Sequence, residues 1–133
     1  MGAEMSVTIN SSADIVTARQ KGRALAMEAG FAGSDLTLIS TAISEVARNI
    51  VTHAKRGEVV LSLVKEDSQT GICIVAADEG PGIADINLAM QYGFSTHQGL
   101  GVGLPGAKWL MDDFQIKSKV GIGTVVTMKK WLS

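Results

Sequence analysis

Glu45 and Asn49 stand four residues apart in the stretch DLTLISTAISEVARNIVTHA, residues 35–54. On a helix that spacing places a carboxylate beside an amide. A carboxylate can take a proton from a hydroxyl, and an amide oxygen suits a hard cation such as Mg²⁺. Most such pairs on helix surfaces are merely solvated, so the pair alone is weak. Asp78 opens DEGPG (78–82), directly after the apolar run GICIVAA (71–77). Gly and Pro force a turn there, which leaves a carboxylate at the carboxyl end of a strand. It can meet a ligand or simply close an Asx turn. QGLGVGLPGAK (98–108) carries glycines at 99, 101, 103 and 106 just before helix-forming residues. Free N–H groups at a helix N-terminus are suited to phosphate. Finally, Gly121-Ile122-Gly123-Thr124 joins two strand-like runs; taken alone it reads as a plain hairpin turn.

Two well-known phosphate motifs nearly fit the glycine run. Gly101, Gly103 and Gly106 spell G-x-G-x-x-G. The dinucleotide fingerprint needs a strand before the first glycine and an acid about 20 residues later. Here a polar loop precedes, and Asp112 and Asp113 come too soon. Gly101 to Gly106 also has P-loop spacing, but Ala107 stands where that motif requires Lys,.

The composition bounds the remaining choices. The chain has 133 residues, 46% of them hydrophobic, and a net charge of -1. A single unit over 1–133 with a real core is expected. No basic stripe favours nucleic acid or a membrane surface. Cys73 is the only cysteine, so no disulfide forms within the chain. That fits a reducing, cytoplasmic setting. The N-terminal MGAEMSVTIN lacks a signal-peptide pattern, and no apolar run reaches transmembrane length.

Certain elements must position these residues. Met5–Asn10 alternates as a strand. Ser11 or Ser12 caps a helix toward Gly30 that includes Ile15, Val16, Leu25 and Met27. Ser34 or Asp35 caps the next helix, which ends near Lys55–Gly57, with Ile39, Ile43, Val46 and Ile50 on its core face. Glu45 and Asn49 fall at the margin of that face. Glu58–Lys65 and Ile72–Ala77 are strands around a turn at DSQTG (67–71). A short helix is expected over 85–91, a polar loop over 92–99, and a helix from about Leu104 to Asp112. Phe114–Val120 and Thr124–Leu132 are strands. The order β-α-α-β-β-α-α-β-β lacks the strict alternation of a doubly wound sheet. It implies an α+β two-layer sandwich with a mixed, mostly antiparallel sheet and helices on one face.

In combination the motifs are far more specific than singly. E-x-x-x-N on a helix, D-x-G-x-G after a strand, G-x-G-x-G before a helix and G-T before the last strand run in order through nearly the whole chain. This pattern resembles the Bergerat-type ATP-binding fold of gyrase, the Hsp90 chaperone, histidine kinases and MutL proteins. There is no phospho-acceptor helix pair and no transducer domain, and the segment between Gly82 and Gly99, an ATP lid in that fold, is short. The chain therefore resembles the small anti-sigma-factor serine kinases. Within them, SEVARN (44–49), DEGPGI (78–83), GFST (93–96), GLGVGLPG (99–106) and KKWL (129–132) are similar to the RsbT-type switch kinases of the bacterial stressosome.

The resemblance implies a cofactor pair, partners and roles. ATP and Mg²⁺ would be used to phosphorylate Ser or Thr on small STAS-domain proteins, RsbS- and RsbR-like scaffolds, with release in some bacteria to a PP2C-type phosphatase. Glu45 would be the catalytic residue, taking the proton from the acceptor hydroxyl or orienting it, and Asn49 the metal ligand. The implied ATP-binding set is Asn49, Asp78, Gly80, Gly82, Ile83, Gly99, Leu100, Gly101, Val102, Gly103, Leu104 and Thr124. Asp78 would accept from the adenine amine, Gly82 would let backbone approach the base, and Thr124 would support that site. Residues 92–98 are expected to order on nucleotide binding. Arg48 reads as a solvent-exposed salt bridge, with a phosphate or partner contact as the alternative; His53 favours the helix dipole, His97 receives no role, and Lys108 is a weak phosphate candidate. The competing class is a nucleotide-dependent binding module that sequesters or activates a partner. A pure binding module needs only the pocket, so the presence of both Glu45 and Asn49 favours the enzyme. A free-standing ATPase is the weakest reading.

Overall fold

The computed structural model describes residues 4–54, 56–82 and 103–132. Strand β1 (Glu4–Ile9) leads into helices α1 (Ser12–Ala29) and α2 (Ser34–His53). Strands β2 (Gly57–Glu66) and β3 (Gln69–Asp78) follow, then helix α3 (Gly103–Leu110) and strands β4 (Asp113–Lys119) and β5 (Gly123–Trp131). The expected helix over 85–91 and loop over 92–99 lie outside the described residues.

The five strands form one sheet in the order β1-β2-β3-β5-β4. All of these pairings are antiparallel, so among the described residues the sheet has no parallel member. Period-2 patterning sends Ile72, Ile74 and Ala76 of β3 and Val126 and Met128 of β5 inward, where all are buried,. The helices pack on that face, with α1 against α2 and α2 against α3. Cys73 points the other way, opposite Lys129 in the ladder. It is still buried, and burial pushes its thiol pKa up,.

Each helix has its own local reason. In α1, Ile15, Ala18, Gly22, Leu25 and Ala26 recur at helical spacing and are buried,. Val16 and Met27, read with the same apolar set, are exposed. The Asp14 carboxylate accepts the N–H groups of Asn10 at 2.8 Å and Ser11 at 3.0 Å, which holds its pKa below the usual carboxylate value. Helix α2 begins one residue earlier than its polar residues suggest. Gly33 is the N-cap, and its carbonyl accepts the Leu36 N–H at 3.2 Å. Ser34 and Asp35 are already in the first turn. The helix stops at His53, short of Lys55–Gly57, because Gly57 is committed to β2.

Ile39, Ile43, Val46 and Ile50 are at most 2% exposed, as their spacing predicts. Helix α2 is flanked by α1, the sheet and α3, so more than one side of it is covered. Ser40 and Ser44 are buried too, and each hydroxyl donates to the carbonyl four residues back, at 2.7 Å and 3.0 Å,. The turn between β2 and β3 is tighter than DSQTG implies: Glu66 pairs with Gln69, and only Asp67 and Ser68 turn, both with positive φ,.

Candidate functional site

Asp78 is the last residue of β3, where Gly57 of β2 and Thr124 of β5 are its ladder neighbours. Its Oδ1 accepts the Gly80 N–H at 2.8 Å and the Thr124 N–H at 3.3 Å. The first bond is the Asx-turn geometry that DEGPG suggests. The second ties the carboxylate to the neighbouring strand. Thr124 is buried, and its hydroxyl shares a 2.8 Å hydrogen bond with Ser118. Ser118 also donates to the Gly123 carbonyl at 3.2 Å.

Glycine is required around this corner by close backbone approach. A Cβ on Gly123, whose φ is 151°, would overlap the Asp78 carbonyl oxygen,. Gly80 is pressed against Ala54 at the end of α2. At Gly82, with φ 77°, the crowding neighbour is the Lys119 carbonyl, and Pro81 accepts the Gly121 N–H at 2.8 Å. Approach to a base, the role given to Gly82 by resemblance, is therefore not needed to explain its glycine. The β4–β5 hairpin already demands it.

The second half of the site is helical. Glu45 is only 5% exposed, deeper than the margin position expected from its helical angle. Burying a carboxylate is costly unless it is partnered. Here Oε2 accepts from Arg48 Nη1 at 3.1 Å, and Oε1 accepts the Gly103 N–H at 3.0 Å. Gly103 opens α3, the helix that follows the glycine run, so a carboxylate from α2 sits at the N-terminus of α3. Asn49, four residues after Glu45, is half-buried.

The remaining expected residues divide as follows. Leu104 turns its side chain into the core, which leaves only its backbone for a ligand. Lys108 is exposed in the last turn of α3. His53 is in the last turn of α2, where a helix dipole favours positive charge,. Ile83, Gly99, Leu100, Gly101, Val102 and His97 lie outside the described residues. A depression of about 360 Å³ at this end of the sheet, lined by Thr8, Asn10, Arg56, Glu58, Ala77 and Glu79 besides Gly57 and Asp78, holds neither Glu45 nor Asn49. Sequence reasoning missed Ser118 and Gly57, whose neighbours come from other strands.

The sequence profile described as histidine kinase-like ATPase domain matches residues 10–130. The chain is 48% identical over 132 residues to the serine/threonine-protein kinase RsbT of Bacillus subtilis, covering 99% of each. It belongs to the RsbT-type serine/threonine-protein kinases of the histidine kinase-like ATPase family. It is also 35% identical over 98 residues to an anti-sigma F factor of Thermoanaerobacter, covering 71% of this chain and 68% of that one. Among solved structures, the mycobacterial sensor histidine kinase MprB aligns with a TM-score of 0.57 at 16% identity, over 97% of each chain. The catalytic domain of the histidine kinase ThkA aligns at 0.54 and 13% identity, over 96% of this chain and 95% of that one. These two likenesses concern the fold. Membership in the family agrees with the α+β architecture and the order of motifs read from the sequence. Among the described residues no helix is long and apolar enough to cross a membrane.

Proposed function

We propose that residues 1–133 act as one ATP- and Mg²⁺-dependent protein serine/threonine kinase, and that its substrates are STAS-domain partners resembling RsbS and RsbR. On this reading the protein is a cytoplasmic partner switch of a bacterial stress response, with a PP2C-type phosphatase as a downstream partner. One observation carries the proposal: the buried Glu45 carboxylate meets the first N–H of the helix that follows the glycine run, 3.0 Å away. A proton acceptor and the predicted phosphate-binding segment are thereby brought together from positions 58 residues apart.

The chain's residues suit ATP and Mg²⁺. Both backbone donors to Asp78 fall on Oδ1, which turns Oδ2 to the role of accepting the adenine amine. The buried Thr124 supports that carboxylate through its own N–H. Asn49 offers a neutral oxygen one turn from Glu45, a donor suited to a Mg²⁺ held mainly by phosphates and water. When bound, Mg²⁺ neutralises phosphate charge and orients the terminal phosphate. Gly80, Gly82 and Ile83 are assigned to adenine binding. The backbone of Gly99, Leu100, Gly101, Val102 and Leu104, together with the N-terminus of α3, is assigned to the phosphates, while the Gly103 N–H serves Glu45. Glu45 accepts the proton of the acceptor hydroxyl as its oxygen bonds to the γ-phosphorus and the bond to ADP breaks.

The test is to incubate the protein with Mg²⁺, γ-labelled ATP and a STAS protein encoded beside its gene. Phosphoserine or phosphothreonine on the STAS protein is the expected result. Nucleotide-dependent binding of the STAS protein without transfer would replace the kinase reading by the binding-module reading.

A further inference from the structure

Arg48 was expected to form a solvent-exposed salt bridge, but its partner is a buried carboxylate. The guanidinium is 33% exposed, whereas Glu45 is 5% exposed. Arg48 Nη1 stands 3.1 Å from Oε2, while the backbone N–H of Gly103 takes Oε1. Two donors on different oxygens fix the plane of the carboxylate as well as its position. One donor comes from the same helix, three residues on. The other comes from α3, so the clamp spans the α2–α3 contact.

We infer that Arg48 is the positioning residue of the proposed base, holding the Glu45 carboxylate in the plane from which it receives the hydroxyl proton. This rests on the reading of Glu45 as the base. A carboxylate on three side-chain torsions has many rotamers. With Arg48 removed, the Gly103 bond is the one hydrogen bond left to it among the described residues, and the buried carboxylate loses its cationic partner. Small misplacements of a reacting group reduce rate by up to ~10²-fold. Among the described residues Arg48 pairs with Glu45, so its loss is expected to fall on turnover rather than on nucleotide binding.

The experiment uses the full chain, Mg-ATP and the STAS protein named above, with kcat and the KM for ATP measured separately. Arg48→Ala is expected to lower kcat by about tenfold to a hundredfold and to leave KM for ATP and MgADP affinity within about threefold. Arg48→Lys restores part of the rate, because an ammonium keeps the charge but not the planar fork. Arg48→Met keeps the aliphatic stem and separates lost packing from lost charge: it should be as slow as Arg48→Ala while remaining fully folded. In a Glu45→Gln background, Arg48→Ala should add little further loss, since coupled groups are not additive. A multiplicative loss in that background, or a raised KM for ATP, would assign Arg48 to phosphate or partner and overturn the inference. Wild-type kcat in Arg48→Ala beside a slow Glu45→Gln would overturn it as well, with the base intact. Wild-type kcat in Glu45→Gln would instead remove the base reading itself.

Discussion

The two carboxylates of the site are held in different ways. Asp78 is fixed by backbone: its two donors are the N–H groups of Gly80 and Thr124, and its flanking strands are in antiparallel register. Glu45 is fixed by one side chain and one backbone N–H reaching from another helix. Backbone donors persist when side chains change, so the Asp78 corner is vulnerable chiefly where a Cβ is added. The Glu45 corner depends on a single side chain and on the packing of α2 against α3. The corner read as a recognition site is therefore robust, and the corner read as a chemical site is adjustable. Substitutions should separate affinity from rate along this line.

The largest expected effect is at Asn49. Asn49→Ala removes the proposed metal ligand and should weaken Mg-ATP binding while abolishing transfer. Titration calorimetry with and without Mg²⁺, beside a transfer assay, reads both. Asn49→Ala with wild-type Mg-ATP affinity would move the metal role elsewhere. Next is Asp78→Asn. An amide that presents N–H to the adenine amine leaves donors opposed, a loss of about 1–3 kcal/mol, or ~5–150-fold in ATP affinity. Discrimination against GTP should shrink in the same variant, whose saturated turnover stays close to wild type. Equal affinity of the wild-type protein for ATP and GTP would remove Asp78 from base recognition.

Gly123→Ala tests the backbone half of the comparison. The new Cβ would overlap the Asp78 carbonyl, so β3 and β5 must part locally, at a cost of about 1–3 kcal/mol. Thermal unfolding and ATP affinity should fall together. Gly121→Ala, with positive φ but no atom of the described residues within 4 Å of the new Cβ, should lose less. A Gly123→Ala protein as stable as wild type would show that the corner is looser than its contacts indicate. The smallest effect is expected from Ser118→Ala, which removes the hydroxyl paired with Thr124 at 2.8 Å. A loss of about 1 kcal/mol in stability, with little change in turnover, is the outcome to check by denaturant unfolding.

What the sequence disclosed follows the range of the interactions. Periodicity located the five strands and three described helices to within a few residues, because inward positions repeat locally along each element. Asp78 at a strand end was legible, since an apolar run met Gly and Pro. Gly33 as the N-cap of α2 was not, because Ser34 and Asp35 are better caps by residue type and the choice was made by chain path. The burial of Glu45 was also hidden: its angle on α2 placed it at the margin, and α3, arriving 58 residues later, covers it. Arg48 looked like a surface cation for the same reason. At Gly82 the sequence suggested close approach of backbone to a base; that a Cβ there would crowd the Lys119 carbonyl at the end of β4 was not legible, because that contact comes from another part of the chain.

The central claim is that Glu45 performs chemistry and does not hold the nucleotide. The most direct measurement pairs ATP affinity with single-turnover phosphate transfer in Glu45→Ala, using one preparation whose folding is checked by thermal melting. Affinity within about threefold of wild type, with transfer slowed by ~10²–10⁴, is the predicted result. Transfer at the wild-type rate would contradict it.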